Sequence, residues 1–302
     1  LNHILPVFAL IILGAVLKYY GMTSDSFLNT ADRLNYFIFF PAMLFWKIGR
    51  AQPVGRIPGN YLLAAILAIL CVYLLSTFYI VFCKVGRFQA GSFSQSCYRF
   101  NTYVALAIIL NLLGEEGVTL FGILIGFAIP IINVLSVSTL IWFSDQTFAA
   151  GQKFRLTVKA LVSNPLIIGC LTGIAYSRLG FGFAPFFDNT LRLASTLTLP
   201  LALLSIGGAL TFQNLRNYLK LSLVACGFKL LMLPTIGYFL LKQLNVAPIP
   251  FQVAMLFFAM PTSTAIYVLS SQLGSDTRYA SAAIVLSTVF SFFTLSAVIW
   301  VI

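Results

Sequence analysis

The chain has 302 residues, 60% of them hydrophobic and only 8% charged, with 18 basic against 7 acidic side chains and a net charge of +11. A soluble domain needs about a quarter of its residues charged to face water. This composition, with a mean hydropathy of +0.98, therefore assigns most of the surface to lipid and excludes disordered, collagen-like and disulfide-rich secreted classes. A helix needs about 20 apolar residues to cross the hydrocarbon core. Ten runs meet that length: 2–20, 31–49, 60–83, 89–113, 117–143, 158–178, 188–211, 217–241, 251–273 and 277–302. The expected fold is an all-α integral membrane protein of ten transmembrane helices. The runs are continuously apolar, which a lipid-facing β-barrel strand is not.

Run one opens on Pro6 and ends on Lys18-Tyr19-Tyr20. It has no basic leader and no small-residue cleavage site, so no cleavable signal peptide is expected. Run four carries Tyr98-Arg99-Phe100-Asn101-Thr102-Tyr103, run five Ile129-Pro130-Ile131-Ile132-Asn133. Asn133 has two readings, a ligand for a solute or ion and a bridge between helices; bridging is favoured. Run seven holds Ser205-Ile206-Gly207-Gly208, small residues suited to close helix packing. Run eight has Lys229 near its middle, too deep for its amine to reach either interface easily. Run nine reads Met260-Pro261-Thr262-Ser263-Thr264-Ala265, and a proline there removes a backbone hydrogen bond inside the helix. The hydroxyls of run ten, Ser287 among them, are expected to pack helices. The five cysteines lie in or beside apolar segments without a CxxC pair, and free packed thiols are expected.

The halves echo each other. Pro6, Gly14 and Gly21 recur 159 residues later as Pro165, Gly173 and Gly180, and Pro41 and Gly49 recur at the same spacing as Pro200 and Gly208. Leu113-Gly114-Glu115-Glu116 recurs 160 later as Leu273-Gly274-Ser275-Asp276. The chain is thus divided into a first repeat at 1–143, a polar linker at 144–157 and a second repeat at 158–302. Five crossings is an odd number, so the second repeat must be inverted, an arrangement common in transporters. Connections after runs one, three, five, seven and nine carry nine basic residues: Lys18, Lys84, Arg87, Lys153, Arg155, Lys159, Arg216, Lys220 and Arg278. The opposite side carries five, Lys47, Arg50, Arg56, Arg178 and Lys242. The first side is read as cytoplasmic, with both termini outside. The basic loops also suit anionic lipid, so nucleic acid is not an expected partner.

A shift of 160 sets Pro261 beside Asn101 and Thr262 beside Thr102. Asn is a poor interior helix former, so runs four and nine are read as two interrupted helices, with second halves starting near Thr102 and Thr262. Such paired breaks mark the expected binding site of an inverted-repeat transporter, and the N-terminus of each half-helix favours an anion. Arg99 and Lys229 add positive charge at depth, at a cost of about 2.5–3.5 kcal/mol each on insertion scales. The seven carboxylates all fall in loops or near run ends, so a site built on a deep carboxylate is not expected. The candidate substrate-binding residues are Arg99, Asn101, Thr102, Lys229, Pro261, Thr262 and Ser263, with Asn133 behind them. Enzyme chemistry is not expected: the one histidine is His3, and the sequence holds no Walker loop and no metal-ligand cluster. No cofactor is expected.

These residues, in their order along the chain, resemble the auxin efflux carrier family, including its bacterial organic-acid members. The resemblance rests on Ile4-Leu5-Pro6-Val7 with Gly14, Phe40-Pro41-Ala42-Met43-Leu44-Phe45, Arg99-Phe100-Asn101-Thr102 and Gly114-Glu115-Glu116-Gly117. It continues through Asn133-Val134-Leu135-Ser136-Val137, Asn164-Pro165-Leu166-Ile167, Pro200-Leu201-Ala202-Leu203 through Gly207, Lys229 with Pro234, and Met260-Pro261-Thr262-Ser263-Thr264-Ala265. It implies two inverted five-helix repeats related to bile-acid symporters and sodium/proton antiporters, with helices four and nine crossing at Asn101 and Pro261. It also implies a scaffold of helices 1, 2, 6 and 7, which could form a homodimer, and a mobile domain of helices 3–5 and 8–10 moving as an elevator. The short linker is unlike the long central loop of the plant carriers, so a bacterial-type carrier of malonate- or malate-like acids in the cytoplasmic membrane is expected. Proton or sodium coupling stays open. The alternatives are a sodium-coupled symporter of bile-acid type and a sensor that does not transport.

Overall fold

The computed structural model describes residues 2–50, 59–143, 158, 164–180, 182–210 and 215–302. The linker, Arg56 and the basic residues Lys153, Arg155 and Lys159 lie outside the described residues. Everything regular among those described is helical. The helices are α1 (Leu5–Tyr19), α2 (Asp25–Leu34), α3 (Phe40–Arg50), α4 (Gly59–Phe82), α5 (Arg87–Tyr98) and α6 (Thr102–Phe143), then α7 (Pro165–Leu179) and α8 (Pro185–Ala209). They continue as α9 (Leu215–Cys226), α10 (Leu233–Gln243), α11 (Pro248–Ala259), α12 (Ala265–Gln272) and α13 (Thr277–Val301). Among the described residues, five stretches are long and apolar enough to cross a membrane: Gly59–Phe82, Arg87–Phe143, Pro185–Ala209, Leu215–Gln243 and Thr277–Val301. Side chains such as Leu74, Phe78, Phe293 and Trp300 stand exposed on them. So much bare apolar surface is stable against lipid tails and not against water, and the chain is a multi-pass membrane protein.

Several helix starts follow from local chemistry. Ser24 caps α2, its Oγ accepting from Phe27 N at 3.1 Å. Asn164 caps α7 in the same way, with Pro165 next to it at the first turn, where a missing N–H costs nothing. Two five- or six-residue π-turns, Asn35–Phe39 and Gly227–Met232, join α2 to α3 and α9 to α10. Each ends two residues before a proline, Pro41 and Pro234. A proline ring clashes with the carbonyl four residues back; widening the turn ahead of it relieves that clash while the helix continues. Run two is consequently longer than its apolar stretch, reaching back to Asp25.

All six described positive-φ residues fall into pairs. Gly21 and Gly180 are 159 apart, Gly114 and Gly274 160 apart, and Lys84 and Asn245, the non-glycines, 161 apart. Gly114, at φ +63°, is the turn that ends run four and starts run five inside the continuous stretch α6. The left-handed region costs a side chain about 1–2 kcal/mol, so these positions are set by connection geometry.

The chain forms two compact units. The first takes α1–α3, α7, α8 and Tyr103–Phe127 of α6. Runs one, two, six and seven are thus grouped as the resemblance implies, but the first part of α6, from its second residue to Phe127, is grouped with them. The reason is local packing: Tyr103 meets the Phe40 ring edge-on at 4.9 Å, Ile48 fills the face of Gly122, and Lys47 pairs with Glu115. Two close approaches organise the unit. Gly14 lies on the backbone of Leu204, and Gly173 on that of Phe45; each partner of the second pair is 159 residues from one of the first. Gly207 lies on Ile11 and Gly208 against Leu28, so the small residues of run seven pack helices as expected. At one end, Trp46 donates from Nε1 to Asp188 at 2.7 Å, and Arg50 approaches the same carboxylate at 3.7 Å. A hydrogen bond to a charged group contributes about 1.5–3 kcal/mol. Trp46→Phe should therefore lower thermal stability in detergent by an amount in that range, and unchanged unfolding would show the bond to be dispensable.

The second unit takes α4, α5, Thr102, Ala128–Phe143 of α6 and α9–α13. Its core is unusually polar for an apolar chain. Residues 90–98 of α5 are all buried and include Ser92, Ser94, Gln95 and Ser96. Hydroxyl pairs satisfy much of this. Ser92 Oγ donates to Ser270 Oγ at 2.7 Å and lies 2.9 Å from Ser275 Oγ, which donates to Phe88 O. Asp276 caps α13, its Oδ1 accepting from Arg278 N and Tyr279 N.

Candidate functional site

Within the second unit α5 stops at Tyr98 and α6 starts at Thr102, while α11 stops at Ala259 and α12 starts at Ala265. Both interruptions open the same way, on a residue in extended conformation: Arg99 at φ −68°, ψ 149° and Met260 at φ −65°, ψ 148°. The two breaks touch. Asn101 N donates to Pro261 O at 2.8 Å, and the Phe100 and Phe257 rings meet edge-on at 4.4 Å. Pro261 offers no N–H but still accepts through its carbonyl. Asn101 and Pro261, paired by arithmetic on the sequence, are thus hydrogen-bonded neighbours.

Arg99 is 7% exposed. Its Nη1 donates to Gln95 Oε1 at 3.1 Å and its Nη2 to Asn133 Oδ1 at 3.0 Å. These two acceptors are neutral amide oxygens, which orient a guanidinium without cancelling its charge. Asn133 therefore bridges runs four and five, as favoured. Gln95 went unnoticed in the sequence; its spacing of four from Arg99, one helical turn, was the available signal.

The second break differs from expectation in one respect. Its following half-helix starts at Ala265, not near Thr262. Thr262 is 1% exposed and bound on both sides: its N donates to Ser287 Oγ at 3.1 Å and its Oγ1 to Ser96 O at 2.9 Å. Those bonds hold it outside the helix. Ser263 then closes the turn, its Oγ accepting from Ala265 N and its carbonyl from Ile266 N, each at 3.2 Å. The first two donors of α12 are accordingly held by the chain itself. Thr102 and Ser263 are half-buried, whereas Arg99, Asn101, Pro261 and Thr262 are buried.

Lys229 stands apart from this set. It is fully buried, in the π-turn midway along Leu215–Gln243, and its Nζ donates to Phe258 O at 3.0 Å. Among the described residues no three His, Cys, Asp or Glu side chains group to hold a metal ion. All five cysteines are free thiols.

Residues 151–300 match the model of a family described as membrane transport protein. An uncharacterized transporter of Methanocaldococcus jannaschii is 20% identical over all of this chain and 98% of its own length. A second, of Methanothermobacter thermautotrophicus, is 21% identical over 97% of this chain and 95% of its own. A putative malonate transporter of Rhizobium meliloti is 26% identical over 99% of this chain and 94% of its own. The resemblance to the auxin efflux carriers, drawn from the motifs, holds.

Proposed function

We propose that this chain, a membrane transporter of the family that its second half matches, is a secondary carrier of a small organic anion, a dicarboxylate of malonate size. The observation that carries the reading is the crossing. Two interrupted helices meet through Asn101 and Pro261, with a buried guanidinium oriented by Gln95 and Asn133 alongside. The anion lodges against the crossing, drawn by Arg99, with Thr102 and Ser263 as the half-buried hydroxyls that orient it. Asn101, Pro261 and Thr262 hold the two breaks in register, and Lys229 holds the carbonyl end of α11 beside them. The name of the Rhizobium relative favours malonate as the first substrate to try.

Ten crossings in two inverted five-helix repeats supply the alternation of access. The paired positive-φ residues and the matched glycine contacts support this. So do the contacts between connections, which join like with like: Lys47 with Glu115, Trp46 with Asp188, Asn60 with Leu244, and Gln89 with Asp276. Movement of one bundle against the other, as an elevator, then exposes the site on alternate sides.

Protein in liposomes preloaded with unlabelled malonate should take up labelled malonate by counterflow. Absence of flux with malonate, malate and indole acids alike would defeat the reading. Repeating the assay with sodium replaced by choline, and with a pH gradient imposed, identifies the coupling ion. The orientation has its own check. Cys83, exposed just beyond α4, belongs to the cytoplasmic side. A membrane-impermeant maleimide should label it in inside-out vesicles and not in intact cells.

A further inference from the structure

Lys229 and Arg99 are both buried cations of one unit, but their partners differ in kind. Arg99 is held by side-chain amides. Lys229 is held by a backbone carbonyl, Phe258 O, in the last turn of α11. The last four carbonyls of a helix have no partner within it, and together they carry about half a negative charge. That end of α11 stands at the crossing, next to Met260 and Pro261. An anion brought to the crossing would face this negative pole as well as Arg99.

We infer that Lys229 is a positioning residue, one that fixes the carbonyl end of α11 and cancels its negative pole without touching the transported anion. Three features carry this. Its Nζ is committed to Phe258 O at 3.0 Å. Its side chain has no exposed surface from which a solute could displace that bond. The π-turn Gly227–Met232 carries it midway along Leu215–Gln243, about 21 Å from either end at 1.5 Å per residue, so its amine has no route to the membrane interfaces. Among the described residues, Phe228 beside it meets the Tyr79 and Phe93 rings edge-on, and α11 carries Phe257 and Phe258. The inference rests on the proposed anion carrier and gives Lys229 a separate task within it.

The test separates affinity from rate. In Lys229→Gln, which keeps a donor for the carbonyl but loses the charge, malonate Kd by calorimetry should rise less than threefold. Counterflow should fall at least tenfold, because a repelling, loosened helix end slows movement of the loaded site. Lys229→Arg should recover at least half the rate with the Kd unchanged. A tenfold or greater rise in Kd in either variant places Lys229 on the anion and overturns the assignment. So does full-rate counterflow in Lys229→Gln. Should the glutamine variant not fold, the arginine variant decides alone, since a direct contact would not survive the longer, planar group with its Kd intact. Absence of malonate binding by the unaltered protein would instead strike the proposed function, and the inference with it.

Discussion

Arg99→Gln should raise the malonate Kd about thirtyfold or more while the protein still inserts and purifies as a single species. Removing one partner of a buried, hydrogen-bonded charge pair costs about 2–5 kcal/mol, and about 1.4 kcal/mol is a tenfold change in affinity. Glutamine keeps a polar group beside Gln95 and Asn133, so those amides are not abandoned in an apolar interior. Arg99→Lys should fall between, keeping the charge and losing the planar fork that reaches both amides at once. The contrast with Lys229 sharpens the expectation: charge removal at 99 acts on affinity, at 229 on rate. If Arg99→Gln binds malonate as tightly as the parent protein, the anion does not sit at the crossing.

The other large effect belongs to the first unit and to stability. Gly207→Ala should destabilise by about 3 kcal/mol or more, because an added methyl would overlap the backbone carbonyl of Ile11, and a backbone moves only by parting the helices. Gly14→Ala meets Leu204 in the same manner. Gly59→Ala is the control, since nothing lies within 4 Å of a methyl at that position; it should leave thermal unfolding within a degree or two. Fluorescence-detected size exclusion of heated detergent extracts reads all three. Equal stability of Gly207→Ala and Gly59→Ala would mean that α1 and α8 do not approach as closely as described.

Much of this architecture was legible from residue order. With 8% charged residues the chain has lipid for its solvent, and Pro261 in an apolar run announces a break wherever that run ends up. The spacing of 159–160 between Gly21 and Gly180, and between Gly114 and Gly274, was countable before any coordinate. The break at Asn101 is legible mainly through that spacing, with only the poor helix propensity of Asn beside it, since no proline or glycine marks it. Residue order misplaced the start of the last half-helix by three residues, because the bonds that keep Thr262 out of the helix come from Ser96 and Ser287, distant in the chain. It also gave no sign of the π-turns, which depend on how a helix already packed on both sides adapts to Pro41 and Pro234.

Composition and helical period are properties of the chain itself. Apolar runs, prolines and glycines act within a turn or two, so the sequence by itself determined the solvent, the helices, their breaks and their recurrence. The partners of the two buried cations were decided only in three dimensions. Arg99 meets Asn133 from 34 residues away, and Lys229 meets Phe258 from 29. A buried charge is defined by the dipoles that surround it, and those dipoles are assembled by tertiary packing.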